Sequence, residues 1–225
     1  MDDDRDTQVA AVAALAEPSR RRLYDHVVRQ PAPVSRDEAA AAVELPRATV
    51  AFHLDRLVAD GLLEVVFERR TGRTGPGAGR PSKLYRRADR AVAVSLPERS
   101  YDLAGDLLAA ALTEAEASGE VPRTVLERRA FERGRELAAR AGEGPGSVLQ
   151  VLEENGFEPR TEGAGIALAN CPFHRLARQH TELVCGMNLH LIGGVLDGVR
   201  ASGLVARLHP EPGMCCVRLD VEAAS

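Results

Sequence analysis

Four cysteines, Cys171, Cys185, Cys215 and Cys216, fall within 46 residues of a 225-residue chain. Thiolate sulfur ligates soft and borderline metals, holds iron–sulfur clusters or joins in disulfides. The spacing is C-x13-C, then 29 residues, then an adjacent pair. That is not the close spacing of a zinc ribbon or a bacterial ferredoxin, so separate elements must bring the sulfurs together. Cys171 precedes Pro172 at an expected helix start, where backbone N–H groups stabilise a thiolate. Cys185 shares a helical stripe with Leu189, Ile192, Leu196 and Val199 and is expected to face the interior. On the last expected strand Cys215 shares parity with Val217, Leu219 and Val221, and Cys216 with Arg218, Asp220 and Glu222. Parity favours Cys215 pointing inward, but which of the two is a ligand stays open. His174, in a C-x2-H spacing with Cys171, is a candidate fourth ligand, and zinc is therefore an alternative metal. Taken singly, each cysteine reads first as a small buried hydrophobe.

A second set of residues could bind polyanions. Residues 1–90 carry 16 basic and 14 acidic side chains, whereas the remainder is net −6. Within residues 69–90, eight basic side chains meet only Asp89. Just upstream, Arg47 to Asp60 reads as a helix. On a wheel of roughly 100° per residue, Val50, Leu54, Leu57 and Val58 gather on one side. Ala48, Thr49, Phe52, Asp55 and Arg56 gather on the other, with His53 on the border, and Ala48 and His53 are counted among the expected DNA contacts. Such a helix suits the major groove: Arg56 for guanine or phosphate, Thr49 for phosphate or base, Phe52 for a thymine methyl. Arg47, at the helix start, suits phosphate. Arg69, Arg70, Arg73, Arg80 and Lys83 line an expected ribbon tip, and Gly79-Arg80-Pro81 presents an arginine suited to a narrow minor groove.

The elements that must position these groups follow from the pattern. Val9–Leu15 reads as a short helix, and Pro18 opens a second that carries Leu23, Val27 and Val28. Ser35 to Glu38 is a capping box for a third helix through Val43. Gly61 stops the fourth helix, and strands over 62–68 and 83–87 flank a glycine-rich turn. A helix–turn–helix followed by a β-ribbon is a winged-helix DNA-binding module, expected over 1–90. Residues 91–225 read as an α+β sensor and dimerisation domain, with helices over 100–118, 123–141 and 181–199 and closing strands over 204–208 and 215–221. The fold class is therefore α+β. The leucines of helix 100–118 are a candidate dimer interface.

The stretches Leu15–Tyr24 and Thr49–Leu63 resemble ArsR-like winged-helix regulators. Gly75–Tyr85 narrows the likeness to the subgroup that includes the repressor of the suf iron–sulfur assembly operon. Asn170–His174, Glu182–Cys185 and Cys215-Cys216-Val217 resemble that subgroup too. The resemblance implies an iron–sulfur cluster, 4Fe–4S or 2Fe–2S, on Cys171, Cys185 and one of Cys215 and Cys216, controlling DNA affinity.

The expectation is a cytoplasmic, homodimeric, redox-sensing transcription regulator, acting as a repressor on a double-stranded operator. The alternative is a winged-helix regulator of an organic effector, with structural cysteines or zinc. An enzyme is not expected, because no phosphate loop opens a helix and no Ser-His-Asp or paired-carboxylate pattern stands out. No apolar run approaches the roughly 18 residues of a membrane span. The acidic MDDDRD lead is unlike a signal peptide.

Overall fold

Two of the helix starts in the first ninety residues are fixed by side chains that occupy orphan backbone groups. In the computed structural model, which describes residues 2–69, 81–201 and 203–222, α1 (Asp2–Ala14) precedes α2 (Pro18–Val28). Glu17 caps α2, accepting from the backbone N–H of Ser19 at 3.0 Å and of Arg20 at 2.6 Å. The Ser19 N–H holds the Glu17 carboxyl below the usual carboxylate range. The expected capping box forms at α3 (Arg36–Val43): Glu38 N donates to Ser35 Oγ at 3.2 Å, and Ser35 N to Glu38 Oε2 at 2.8 Å. Glu44, at φ 54°, turns the chain in the left-handed region, and α4 (Arg47–Ala59) follows.

Leu23, Val50, Leu54 and Leu57 are wholly buried. Each removes an aliphatic side chain from water, worth roughly 1.5–3 kcal/mol. Strands β2 (Leu63–Glu68) and β3 (Ser82–Arg87) pair antiparallel, with Val65 opposite Tyr85. The sheet of the described residues has the order β1–β3–β2, where β1 is Val34–Ser35. That strand is only two residues long, too short for an alternating pattern to reveal. The first helix also starts earlier than Val9. Its apolar periodicity begins there, but extending a formed helix costs little per residue.

The chain divides into two compact units, Met1–Val94 and Ser95–Ser225, a few residues beyond the boundary expected at 90. In the second unit α5 (Tyr101–Ser118), α6 (Pro122–Ala138), α7 (Pro145–Glu154), α8 (His174–Gln179) and α9 (Thr181–Gly198) accompany β4 (Pro159–Glu162), β5 (Gly165–Leu168), β6 (Leu204–Leu208) and β7 (Val217–Val221). The strands pair antiparallel in the order β4–β5–β7–β6, with Ile166 and Ala206 both opposite Leu219. The architecture is α+β. Helix α9 is buried along most of its length through Val184, Met187, Leu191, Ile192 and Val195.

Helices α6 and α9 meet backbone to backbone. A Cβ on Gly134 would lie 2.0 Å from the Leu191 carbonyl oxygen, and one on Gly194 would lie 2.0 Å from that of Phe131. No residue with a side chain fits at either position without separating the helices.

Candidate nucleic-acid interface and cysteine site

Helix α4 presents its outer face from a rigid apolar base. Arg47, Ala48, Phe52, Asp55 and Arg56 are exposed and Thr49 is half-buried, opposite the buried Val50, Leu54 and Leu57. Phe52 is 65% exposed, unusual for a large aromatic ring on a packed helix. Arg56 Nε pairs with Asp60 Oδ2 at 2.9 Å, and Arg47 Nε with Asp37 Oδ1 at 3.2 Å. The Arg47–Asp37 pair, exposed on both sides, is worth little and can be exchanged for phosphate, whereas the Asp60 carboxylate is largely covered.

His53 departs from the expectation of a DNA contact. It is 8% exposed, and its Nε2 lies 3.6 Å from Glu17 Oε2, so it packs inward against the cap of α2. Among the described residues its Nδ1 finds no hydrogen-bond partner. A border position on the wheel is settled by the neighbouring helix, and here α2 covers it.

Lys83 of the ribbon is tied to the reading helix: its Nζ donates to Asp55 Oδ1 at 2.6 Å, and the Tyr85 hydroxyl donates to the same oxygen at 3.2 Å. The bond to Asp55 raises the Lys83 pKa, so the ammonium is firmly charged. Burial pushes the Tyr85 phenol up, keeping it a donor. This link between helix and ribbon was not visible in the sequence, because it spans 28 positions. Phe67, 65% exposed and opposite Lys83 in the β2–β3 register, was also missed. Arg69 is exposed just after β2, whereas Arg70, Arg73, Arg80 and the glycine-rich turn lie outside the described residues.

In the second unit the four cysteines converge. Cys171 follows β5, Cys185 lies in the first turns of α9, and Cys215 and Cys216 immediately precede β7 rather than lying within it. Cys171, Cys185 and Cys215 are 6%, 5% and 3% exposed, and Cys216 packs half-buried against the same core. Cys215 is the more buried of the adjacent pair, as parity indicates.

Cys185 and Cys216 form a disulfide, where free thiols or metal ligands were expected. Their Cα atoms, 6.4 Å apart, are within the reach of a bridge. Cys171 and Cys215 remain thiols and hydrogen-bond to each other. The Cys215 thiol donates to Cys171 and lowers its pKa, helped by the Phe173 backbone N–H and the charge of Arg99, while burial works in the opposite direction. The same bond, with burial, pushes the Cys215 thiol up.

Asn188, one turn beyond Cys185 and 1% exposed, donates from Nδ2 to Cys215 Sγ at 3.3 Å. Its Oδ1 is buried without a hydrogen-bond partner among the described residues. Asn188 was missed because a lone asparagine among apolar helix residues carries no motif. His174 is exposed at the first position of α8, in contrast to the sulfurs. As the side chains stand, no group of three or more His, Cys, Asp or Glu among the described residues could hold a metal ion.

The family model of the helix-turn-helix domain matches residues 15–66, from the approach to α2 into β2. No curated protein and no solved structure matches the chain. The chain thus carries a helix–turn–helix domain of the DNA-binding type, built on the α2–α3–α4 unit described above. Among the described residues no helix is long and apolar enough to cross a membrane.

Proposed function

We propose that this chain is a cytoplasmic transcription repressor of the ArsR-like winged-helix type. It binds a palindromic double-stranded operator as a homodimer, and an iron–sulfur cluster in the second unit sets its operator affinity. The helix-turn-helix match and the exposed outer face of α4 support the DNA-binding half. Two-fold operators require two reading heads. The exposed Leu112, beside the half-buried Leu103 and Leu108 on α5, supports that helix as the dimer face.

The gathering of all four cysteines in one apolar place carries the sensing half. Cys171, Cys185 and one of Cys215 and Cys216 would hold the cluster, once the Cys185–Cys216 bridge is reduced. The donor set fits in its chemistry: it is all sulfur and lies against the apolar core. When bound, such a cluster supplies a one-electron couple that oxidants can destroy. The chain's own part is to shield the sulfurs from water and to donate to Cys215 from Asn188.

The experiment is operator binding by anaerobically purified protein with assayed iron and sulfide, compared with apoprotein at equal dimer concentration. Unequal affinity supports the reading, and equal affinity removes it. The Cys185–Cys216 disulfide favours a second reading, a metal-free dithiol switch. A peroxide would take two electrons and two protons from the two thiols, forming the S–S bond and leaving water. Iron-free protein whose operator affinity changes between reduced and peroxide-treated forms would select it.

A further inference from the structure

The turn that carries Cys171 is fastened to the segment through which the chain enters the second unit. Asn170 is 6% exposed. Its Nδ2 donates to the Glu98 carbonyl at 3.1 Å and to the Gly156 carbonyl at 2.6 Å. Its Oδ1 accepts from Arg99 Nη1, which also donates to the Cys171 carbonyl at 3.1 Å. The Ser100 backbone N–H donates to the Pro172 carbonyl at 3.2 Å, and the Ser100 carbonyl accepts from Ala104 N in the first turn of α5. Residues 98–100 and 170–172 are thus clasped by side chain and backbone together, and the amide of Asn170 is almost fully used. Buried amides satisfied in this way fix the backbone around them.

From this geometry we propose that Arg99 and Asn170 are positioning residues that transmit the state of Cys171 to residues 98–100, and so to the chain leading back to the DNA-binding unit. The inference rests on the sulfur site being the regulatory one. A change at the Cys171 sulfur that shifts its backbone moves the carbonyls of Cys171 and Pro172. Those carbonyls are the acceptors for Arg99 and for Ser100. Coupling of this kind travels through contiguous hydrogen-bonded networks, and the clasp supplies one between the Cys171 turn and residues 98–100.

The test uses the full-length protein, reduced and metal-free, and the same protein reconstituted with iron and sulfide. Hydrogen exchange is read at Ser100 and across residues 98–104, cluster loading by visible absorbance, and operator affinity in both states. In metal-free Arg99→Ala, the Ser100 amide is expected to lose about tenfold of its protection, as local opening becomes easier. In wild type the operator affinity of the two states is expected to differ by about tenfold, the scale of ordinary allosteric coupling. In Arg99→Ala the absorbance should persist while that ratio falls towards unity.

Arg99→Lys, which keeps a donor on a long stem, should restore part of the ratio. Arg99→Met, which keeps only the bulk, should not. Asn170→Asp, which loses both amide donors, should repeat the Arg99→Ala result. Unchanged Ser100 protection, a wild-type ratio in Arg99→Ala, or equal rescue by Met and Lys would each overturn the proposal. A wild-type protein with no difference between its states would overturn the sensing reading itself, and the transmission with it.

Discussion

The two candidate sites are built in opposite ways. In the first unit the chemistry stands outside an apolar base: Phe52, Arg56 and Arg47 project from α4 while Val50, Leu54 and Leu57 hold it from beneath. The Arg47–Asp37 pair is exposed and can be exchanged for phosphate without disturbing the core. In the second unit the sulfurs are themselves part of the core, packed with Phe173, Val184 and Leu219. Bond making there alters packing, and close-packed interiors answer such changes with discrete rearrangements. One unit can therefore bind without changing shape, whereas the other cannot react without doing so.

The sharpest way to break this contrast is to disturb the support of the sulfur site without touching sulfur. Gly194→Ala places a Cβ against the Phe131 carbonyl and should destabilise the second unit by about 3 kcal/mol, as overpacking does. Urea denaturation would show it, and a midpoint like that of wild type would mean that α6 and α9 are free to part.

On the first unit the opposite outcome is expected. Phe52→Ala should leave thermal stability nearly unchanged while shifting operator selectivity by about 1–3 kcal/mol per contacted base. Competition binding against single-base operator variants measures this, and a large fall in Tm with unaltered selectivity would place Phe52 in the core.

A smaller effect should follow from loosening the helix–ribbon tie. Asp55→Asn removes a charge from the reading face and frees Lys83 for phosphate. The slope of log K against log salt should steepen by about one contact, roughly 0.9. An unchanged slope would mean that Lys83 does not reach the duplex.

The smallest effect concerns acid stability. Glu17 has a lowered pKa in the folded protein, so its contribution is complete above the unfolded carboxylate value and is lost as the pH falls through the folded one. Glu17→Gln should therefore flatten the stability profile on the acid side and leave its shape near neutrality alone. Acid titration of unfolding followed by circular dichroism would test this.

The contrast also explains what was legible in the sequence. The capping box at Ser35, the apolar stripe of α4 and the β2–β3 ribbon were readable because each is local and periodic. His53 was not, since its side of the helix is decided by Glu17, 36 positions away. The stripe of Cys185 and the parity of Cys215 indicated burial correctly. The pairing of Cys185 with Cys216 was beyond reach, because spacing does not determine which sulfurs meet. The Arg99–Asn170 clasp spans 71 positions and uses ordinary polar residues, so no motif marks it.

The contact at Gly134 and Gly194 has a mechanical consequence. With carbonyls rather than side chains at the point of touch, α6 and α9 have no compressible layer between them. Sliding α9 along α6 would drive each glycine's neighbours into the opposite backbone, so the helix is held in a single gear position. Cys185 and Asn188 therefore sit on a helix whose position is set by backbone contact, whereas Cys171, Cys215 and Cys216 sit on loops, in the turn at 170–172 and the run before β7.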